Sequence, residues 1–376
     1  MRLMHLAVLL VIGSGLVWTP AQAARPASVV PSSASTVLER LPPGYARQRV
    51  APDVVPPVSY AANLLEMSAR TGDARLASRA EGILARYPAA SGERGLIHAR
   101  AFAAQHRHDF KESLAQLDAL IKSDPRDTAA RASRAQILLV QGRLDRAGTD
   151  CGALVLADAA RSLSCLAALA MARGDNAAAV TLLDRWFQSP PADPALQRHA
   201  AVMRAEAAAR AGEVAIADGW FKRALAMVPQ DVRTLAPYAR HLRATGRPGQ
   251  VAALLADGPD TDGLHLQRAL AAHEAGQPDA PRLAAAQARR YALAERTGAE
   301  PELREQAEFV LVHGGDPARA LDIALRNFKD QRDVEDVEIL RRAARAAKRP
   351  QALAPLEQWA VAQRITLPPL VAQEVR

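Results

Sequence analysis

Short turn motifs recur along this chain at intervals of 36, 34, 32, 38, 34, 30, 39 and 33 residues. Such regular spacing indicates a repeated unit of two helices joined by a turn. One helical hairpin cannot bury its apolar face alone, so each unit has to stack on the next. The motifs begin, in chain order, at Gly72, His108, Gly142, Gly174, Gly212, Gly246, Gly276, Gly315 and Lys348. The spacing therefore predicts a solenoid of about nine hairpins that presents a binding surface.

The composition favours helices over strands. Aromatic residues make up only 4% of the chain, which is rich in Ala, Leu and Arg. The 48 Lys and Arg residues, five of them Lys, give a net charge of +8. These cations are dispersed along the chain rather than clustered, and the segment described next indicates export. We therefore expect no nucleic-acid partner, whereas a weak attraction to anionic surfaces stays open.

The first 23 residues have the pattern of a secretory signal peptide. Arg2 precedes an apolar run from Leu6 to Trp18, and Ala21-Gln22-Ala23 fits a cleavage site. The run is short for a membrane span, although an uncleaved anchor remains the alternative. No other segment of the sequence has the length of a transmembrane helix. We therefore expect export, most plausibly to a bacterial periplasm.

The remaining chain divides into three parts. Residues 24–57 are rich in Pro and Ser and predict a disordered linker. Residues 58–364 carry the helical repeats, whose second helices usually end near a proline. Residues 365–376 contain Pro368-Pro369 and predict an irregular tail.

The repeats resemble those of tetratricopeptide repeat proteins. In that family a small residue precedes the turn by seven positions, another follows it by five, and a proline follows by seventeen. Matching residues are Ala101, Ser113 and Pro125 in repeat 2, Ala135, Gly142 and Ala147 in repeat 3, Ala167, Gly174 and Ala179 in repeat 4, and Ala205, Gly212, Ala217, Ala224 and Pro229 in repeat 5. The resemblance implies an all-α, right-handed superhelix, with Leu114, Leu117, Leu120 and Ile121 in one apolar seam. Many of the family's bulky aromatic positions hold Ala or Leu here.

Repeats 6 and 7 depart from the pattern. Pro237 falls within a predicted first helix, and Gly246-Arg247-Pro248-Gly249 shortens the following one. Pro278 and Pro281 interrupt the next hairpin. Either the array breaks into two arms between Ala236 and Pro281, or the prolines only bend it locally.

The sequence contains no motif that predicts catalysis, a cofactor site or a metal site. His106 and His108 are spaced for a pair of metal ligands, but no third ligand accompanies them. The glutamates near the beginnings of later first helices are explained by the helix dipole. These are Glu302, Glu305, Glu335 and Glu338. We therefore expect a non-enzymatic protein.

Cys151 and Cys165 lie seven residues to either side of the predicted turn at Asp158. That symmetry places them at the same height on neighbouring antiparallel helices. A disulfide is feasible if both face the seam in an oxidising compartment. Two buried free thiols are the equally weighted alternative.

The resemblance also implies where a partner would bind, because first helices line the inner groove of such solenoids. The corresponding positions here are Phe102, Leu139, Val140, Met171, His199, Arg210, Arg233, Arg240 and Arg243. They predict an apolar strip followed by a basic patch suited to an acidic peptide or protein. The alternative is that the arginines form an ordinary solvated helix face. The expected function is an exported scaffold. The alternative is a component of envelope polysaccharide synthesis or export.

Overall fold

The structure, a computed structural model, describes residues 57–88, 91–297, 302–365 and 367. The predicted signal peptide, the predicted linker up to Pro56 and most of the predicted tail lie outside these residues. The secondary structure of the described part is entirely helical. In chain order the helices are α1 Pro57–Thr71, α2 Ala74–Leu84, α3 Arg94–His106, α4 Phe110–Ser123, α5 Thr128–Val140, α6 Leu144–Ala153, α7 Ala159–Ala172, α8 Asn176–Gln188, α9 Pro194–Arg210, α10 Val214–Met227, α11 Val232–Ala244, α12 Val251–Leu254, α13 Asp262–Glu274, α14 Ala280–Thr297, α15 Leu303–Val312, α16 Pro317–Asp330, α17 Val334–Ala346 and α18 Ala354–Gln363.

These helices pair into nine hairpins along the described chain, from α1–α2 as repeat 1 to α17–α18 as repeat 9. The predicted all-α solenoid of about nine repeats is confirmed. Every predicted turn residue adopts the left-handed backbone conformation, with φ between 55° and 84°. Two of the nine, His108 and Lys348, are not glycine. The spacing of the turn motifs thus reflects one backbone requirement that is met once in each hairpin.

Aspartate side chains begin many of the helices. Each accepts a hydrogen bond from a backbone N–H of the first turn, which has no partner within the helix. These N-cap residues are Asp73, Asp109, Asp127, Asp158, Asp175, Asp193, Asp231, Asp316 and Asp333. A left-handed turn residue followed by an aspartate therefore ends one helix and begins the next in several repeats.

Small residues at the matching positions let the helices of each pair approach closely. The alanines at these positions in repeats 3, 4 and 5 are fully buried. In repeat 2, Ser113 is buried and donates a hydrogen bond to the Ala101 carbonyl oxygen, 2.7 Å away. The seam predicted for α4 is also confirmed, since its four aliphatic residues are buried together in one cluster.

Repeats 6 and 7 continue the array. Helix α11 is unbroken although it contains Pro237, and a short 3-10 turn, Pro248–Gln250, precedes the four-residue α12. The first helices α9, α11, α13 and α15 contact one another in succession through this region. Of the two alternatives, the structure shows a local disturbance rather than two separate arms.

Repeats far apart in the chain also touch. Arg332 of repeat 8 donates its backbone N–H to the Val140 carbonyl oxygen of repeat 3, at 2.7 Å. Trp359 of repeat 9 donates its indole N–H to the Gly142 carbonyl oxygen, at 2.9 Å. Arg233 of repeat 6 forms an ion pair with Glu66 of repeat 1, at 2.8 Å. We call these, together with the ion pair between Arg210 of repeat 5 and Glu335 of repeat 9, the cross-turn contacts; they join repeats that lie four to six units apart in the array.

Candidate partner cavity

A cavity of about 340 Å³ lies between the first helices of repeats 3, 4 and 5, which are α5, α7 and α9. The beginning of α17 from repeat 9 forms another part of its wall. Five of the nine predicted groove residues line this cavity together: Leu139, Val140, Met171, His199 and Arg210. The structure thus brings three apolar and two polar residues of the predicted groove together in one place.

Aliphatic and sulfur-containing side chains form most of the cavity wall. Leu139 comes from α5, Met171 from α7, and Leu196 and Met203 from α9. Met171 and Met203 are each at least nine-tenths buried. Methionine adapts its shape to different apolar partners more readily than branched residues do. This wall is suited to apolar side chains that enter from outside.

Charged side chains cluster at one end of the cavity. Arg210 of α9 pairs with Glu335 of α17 at 2.5 Å, although 125 positions separate them in the chain. Arg240 lies behind this pair, 3.8 Å from the Glu206 carboxylate and 3.9 Å from that of Glu335. Arg304 contacts the Asp333 carboxylate at 3.4 Å. The beginning of α17 is therefore tied to α9 and α15 by charge.

The two glutamates at this end differ in their protonation chemistry. Desolvation acts to raise the pKa of Glu335, but the positive charges of Arg210, Arg240 and Arg304 outweigh it and lower the pKa. Desolvation raises the pKa of Glu206, despite the opposing charges of Arg210 and Arg240. Glu335 is therefore stabilised as a carboxylate by its partners, whereas the Glu206 carboxylate is not stabilised to the same degree.

The expectation of a basic patch open to a partner's carboxylates has to be corrected. Arg210 pairs with Glu335, and Arg233 pairs with Glu66 at 2.8 Å and with its helix N-cap at 3.1 Å. Of these carboxylates, Glu335 and Glu66 come from repeats distant in the chain, which the sequence pattern did not reveal. Arg243 is likewise paired, with Glu274 at 2.6 Å and Glu308 at 3.0 Å.

The other predicted groove residues lie elsewhere. Arg233, Arg240 and Arg243 do not line the cavity. Phe102 packs against the apolar core of repeats 1 and 2, with its ring centroid 5.9 Å from that of His106. His199 lines the cavity and stays exposed to solvent.

A disulfide bond joins Cys151 to Cys165, whose Cα atoms are 5.4 Å apart. Cys151 is fully buried in α6, and Cys165 of α7 lines the cavity. The bond thus links repeat 3 to repeat 4 directly beside the apolar wall. Of the two alternatives for these residues, the structure contains the disulfide.

Sequence reasoning missed Met203, Glu206 and Glu335 as cavity residues. Along α9, four cavity residues follow one another at intervals of four, three and four positions, which places them on one helix face: His199, Met203, Glu206 and Arg210. The first and the last of them were predicted. That spacing was available in the sequence. Glu335 was interpreted only through the helix dipole, because nothing in the sequence indicated that Arg210 would face it.

The described part of the chain contains neither a metal-ligand cluster nor a membrane-spanning helix. There, no group of three or more His, Cys, Asp or Glu side chains is arranged to hold a metal ion. His108 instead lies 3.6 Å from Glu302 and stacks on Phe110. Among the described helices, none combines the length and apolar character that crossing a membrane requires.

Comparison with known proteins identifies no match by sequence: neither a family model nor a curated protein matches the chain. Among solved structures, the chain is similar to PilW, a widely conserved type IV pilus biogenesis factor, with 18% identity, a TM-score of 0.44 and coverage of 56% of this chain and 98% of PilW. It is also similar to a tetratricopeptide repeat protein from Parabacteroides merdae, with 13% identity, a TM-score of 0.39 and coverage of 76% and 98%. It is similar to yeast Tom70 as well, with 12% identity, a TM-score of 0.27 and coverage of 81% of this chain and 89% of Tom70. These likenesses concern the fold alone. The tetratricopeptide-like architecture rests on the nine hairpins themselves, with their left-handed turns and small buried residues.

Proposed function

We propose that this tetratricopeptide-like chain is a non-enzymatic, exported scaffold that binds a segment of a partner protein in the cavity between repeats 3, 4 and 5. The cavity carries the proposal, because three consecutive first helices place an aliphatic wall beside a charged end. Its volume of about 340 Å³ is near the lower end of the range for ligand sites. It has room for one or two side chains of a bound segment.

The chemistry of the charged end supports binding rather than catalysis. Arg210 and Glu335 pair with each other, so their charges position α17 against α9. A catalytic site would place a nucleophile within hydrogen-bond reach of a base that a third group orients. The charged end instead joins guanidinium groups to carboxylates, an arrangement that holds helices together.

Two observations support export. The N-terminal 23 residues have the pattern of a signal peptide, with Ala21-Gln22-Ala23 as the exit. The disulfide between Cys151 and Cys165 is of a kind that persists in oxidising compartments such as the bacterial periplasm. N-terminal sequencing of the protein from envelope fractions tests this part. A chain that begins at Ala24 supports cleavage, and one that begins at Met1 supports the uncleaved anchor.

The acidic partner and the acidic polysaccharide are less favoured. Both ideas depended on free groove arginines, and Arg210, Arg233 and Arg243 already pair with carboxylates of this chain. An added anion would have to displace an existing partner from each. No observed feature of the cavity favours a glycan over a peptide.

The test is a crosslinking pull-down from the native envelope with the tagged mature chain. Ala168→Trp places a large ring in the cavity, because Ala168 lines it from α7. Ala177→Trp is the matched control, since Ala177 is an exposed helical residue on α8 outside the cavity. We expect a specific protein to be lost with Ala168→Trp and retained with Ala177→Trp. Retention of every captured protein by both variants would show that the cavity is not the binding site.

A further inference from the structure

We propose that the cavity selects a partner segment in which an aliphatic side chain lies next to a lysine or arginine, and that the Glu206 carboxylate accepts the hydrogen bonds of that cation. This inference rests on the proposed function and adds the chemistry of the partner. It reverses the charge that the sequence pattern predicted for that partner. Three features of the charged end support it.

The first feature is the position of Glu206. It lies on the same face of α9 as Met203, three residues before it, and both side chains line the cavity. Met203 is buried, whereas 23% of the Glu206 side chain is exposed. A bound segment that places an aliphatic side chain on Met203 therefore brings its neighbouring residue to Glu206.

The second feature is the unused hydrogen-bonding capacity of Glu206. A carboxylate has room for about four hydrogen bonds. Within the described chain the Glu206 carboxylate accepts none, because its ion-pair partner Arg240 lies 3.8 Å away. Asp333, by contrast, accepts the Asp336 backbone N–H at 3.1 Å, and Glu335 accepts from Arg210 at 2.5 Å.

The third feature is the balance of charge in the wall. The lining contains two guanidinium groups, of Arg161 and Arg210, and three carboxylates, of Glu206, Asp333 and Glu335. Arg161 pairs with Asp158 and Arg210 with Glu335, so neither cation is free to meet an incoming anion. Among the carboxylates, Asp333 contacts Arg304 and Glu335 pairs with Arg210, whereas Glu206 lies 3.8 Å from Arg240 without a hydrogen bond. An ammonium or guanidinium group of a partner would form charge-assisted hydrogen bonds with Glu206.

The experiment selects peptides from a phage-displayed library of random dodecapeptides on the mature chain. Parallel selections use the cavity-filled Ala168→Trp variant, so that peptides which bind elsewhere can be subtracted. This subtraction matters because the net charge of +8 attracts acidic peptides to any surface. Among cavity-dependent peptides, we expect Lys or Arg next to Leu, Ile, Val or Met to be enriched over Asp or Glu.

Two single-site variants then assign the preference. Glu206→Gln should weaken binding of a selected basic peptide about tenfold, measured by fluorescence anisotropy. It should leave the affinity for the same peptide with Gln in place of Lys unchanged. Glu213→Gln is the matched control, because Glu213 is exposed at the turn that follows α9 and does not line the cavity. It should bind both peptides as the unaltered chain does.

The outcomes separate this inference from the proposed function. Cavity-dependent peptides without a basic preference would overturn the role of Glu206 and leave the scaffold function standing. The same conclusion follows if Glu206→Gln and Glu213→Gln have equal effects. A library that yields no peptide sensitive to Ala168→Trp would count against both proposals.

Discussion

The seams between consecutive helices and the cross-turn contacts are held together by different chemistry. In the seam between repeats 5 and 6, Phe221 is fully buried and stacks on Tyr238, with ring centroids 4.9 Å apart. The cross-turn contacts instead use hydrogen bonds and ion pairs, as between Trp359 and Gly142 or Arg233 and Glu66. Apolar burial thus stabilises each repeat on its neighbour, whereas polar contacts join repeats that lie four to six units apart.

This difference bears on the cavity. A typical hydrogen bond contributes about 0.5–1.5 kcal/mol net, and a fully buried large apolar side chain about 1.5–3 kcal/mol. We therefore expect the cross-turn contacts to open before any seam unfolds. Because the beginning of α17 lines the cavity and pairs with Arg210, such opening would widen the cavity at its charged end.

The largest expected effect belongs to a seam. Phe221→Ala should lower the free energy of unfolding by about 3–5 kcal/mol, because it removes a fully buried ring and leaves a cavity. Leu156→Ala is the control, since Leu156 is 100% exposed and should change stability by less than about 0.5 kcal/mol. Urea denaturation followed by circular dichroism measures both. Similar effects of the two substitutions would contradict the apolar account of the seams.

One seam is also covalently joined. The Cys151–Cys165 disulfide closes a loop with a sequence separation of 14 residues, for which chain entropy predicts about 3 kcal/mol of stabilisation. We expect a reducing agent to lower the urea midpoint of the unaltered chain by a corresponding amount. The double variant Cys151→Ala/Cys165→Ala should match the reduced chain and should not respond to the agent. If reduction leaves the midpoint unchanged, the disulfide does not stabilise this seam.

The seams could be predicted from the sequence far better than the cross-turn contacts. Left-handed turns and small seam residues repeat at fixed spacing, so Gly212, Ala205 and Ala217 reveal one another. No comparable rule connects Arg210 to Glu335, which lies 125 positions away. Their approach depends on how the curvature of each seam accumulates over several repeats. For this reason the sequence indicated that Leu139, Val140 and Met171 would lie together, but not that Arg210 would be paired within the chain.

Gly142 and Gly212 offer a matched test of a cross-turn contact. Both have left-handed backbones, with φ of 66° and 80°, so alanine at either should cost about 1–2 kcal/mol. At Gly142 a Cβ would also lie 2.7 Å from the Trp359 ring, whereas at Gly212 it would meet open space. We expect Gly142→Ala to be the more destabilising, by about 1 kcal/mol, through the loss of the Trp359 hydrogen bond.

The control for that pair is the background Trp359→Phe, which lacks the indole donor. In this background Gly142→Ala should lower the free energy of unfolding by only slightly more than Gly212→Ala does. The hydrogen bond from Trp359 is already absent there, so Gly142→Ala can no longer remove it. Urea denaturation of the unaltered chain, the three single variants and the two double variants measures the coupling. If Gly142→Ala and Gly212→Ala differ in stability by the same amount in both backgrounds, the Trp359 hydrogen bond does not contribute to the cost of Gly142→Ala.

The smallest expected effect is that of the ion pair between Arg210 and Glu335. Glu335→Gln should lower the free energy of unfolding by about 1 kcal/mol at neutral pH, since both side chains are more than three-quarters buried. Asp279→Asn is the comparison: it breaks the exposed pair with Arg282, whose side chain is 71% exposed, and should have no measurable effect. Equal effects of the two substitutions would show that burial of the Arg210–Glu335 pair does not increase its contribution to stability.

The stability difference between the unaltered chain and Glu335→Gln should depend on pH in a definite direction. The pKa of Glu335 lies below its ordinary value of 4.5 in the folded chain, because Arg210, Arg240 and Arg304 outweigh desolvation. The stabilisation is therefore complete above the unfolded pKa and is lost as pH falls through the folded pKa. Glu206 and Asp336 also titrate at this end, but they are present in both proteins. The stability difference between the unaltered chain and Glu335→Gln should thus be constant from neutral pH down to about pH 5, and should shrink only below that. A difference that instead disappears between neutral pH and about pH 5 would mean that Glu335 is not held ionised by its arginines, and that α17 is fixed against α9 by other contacts.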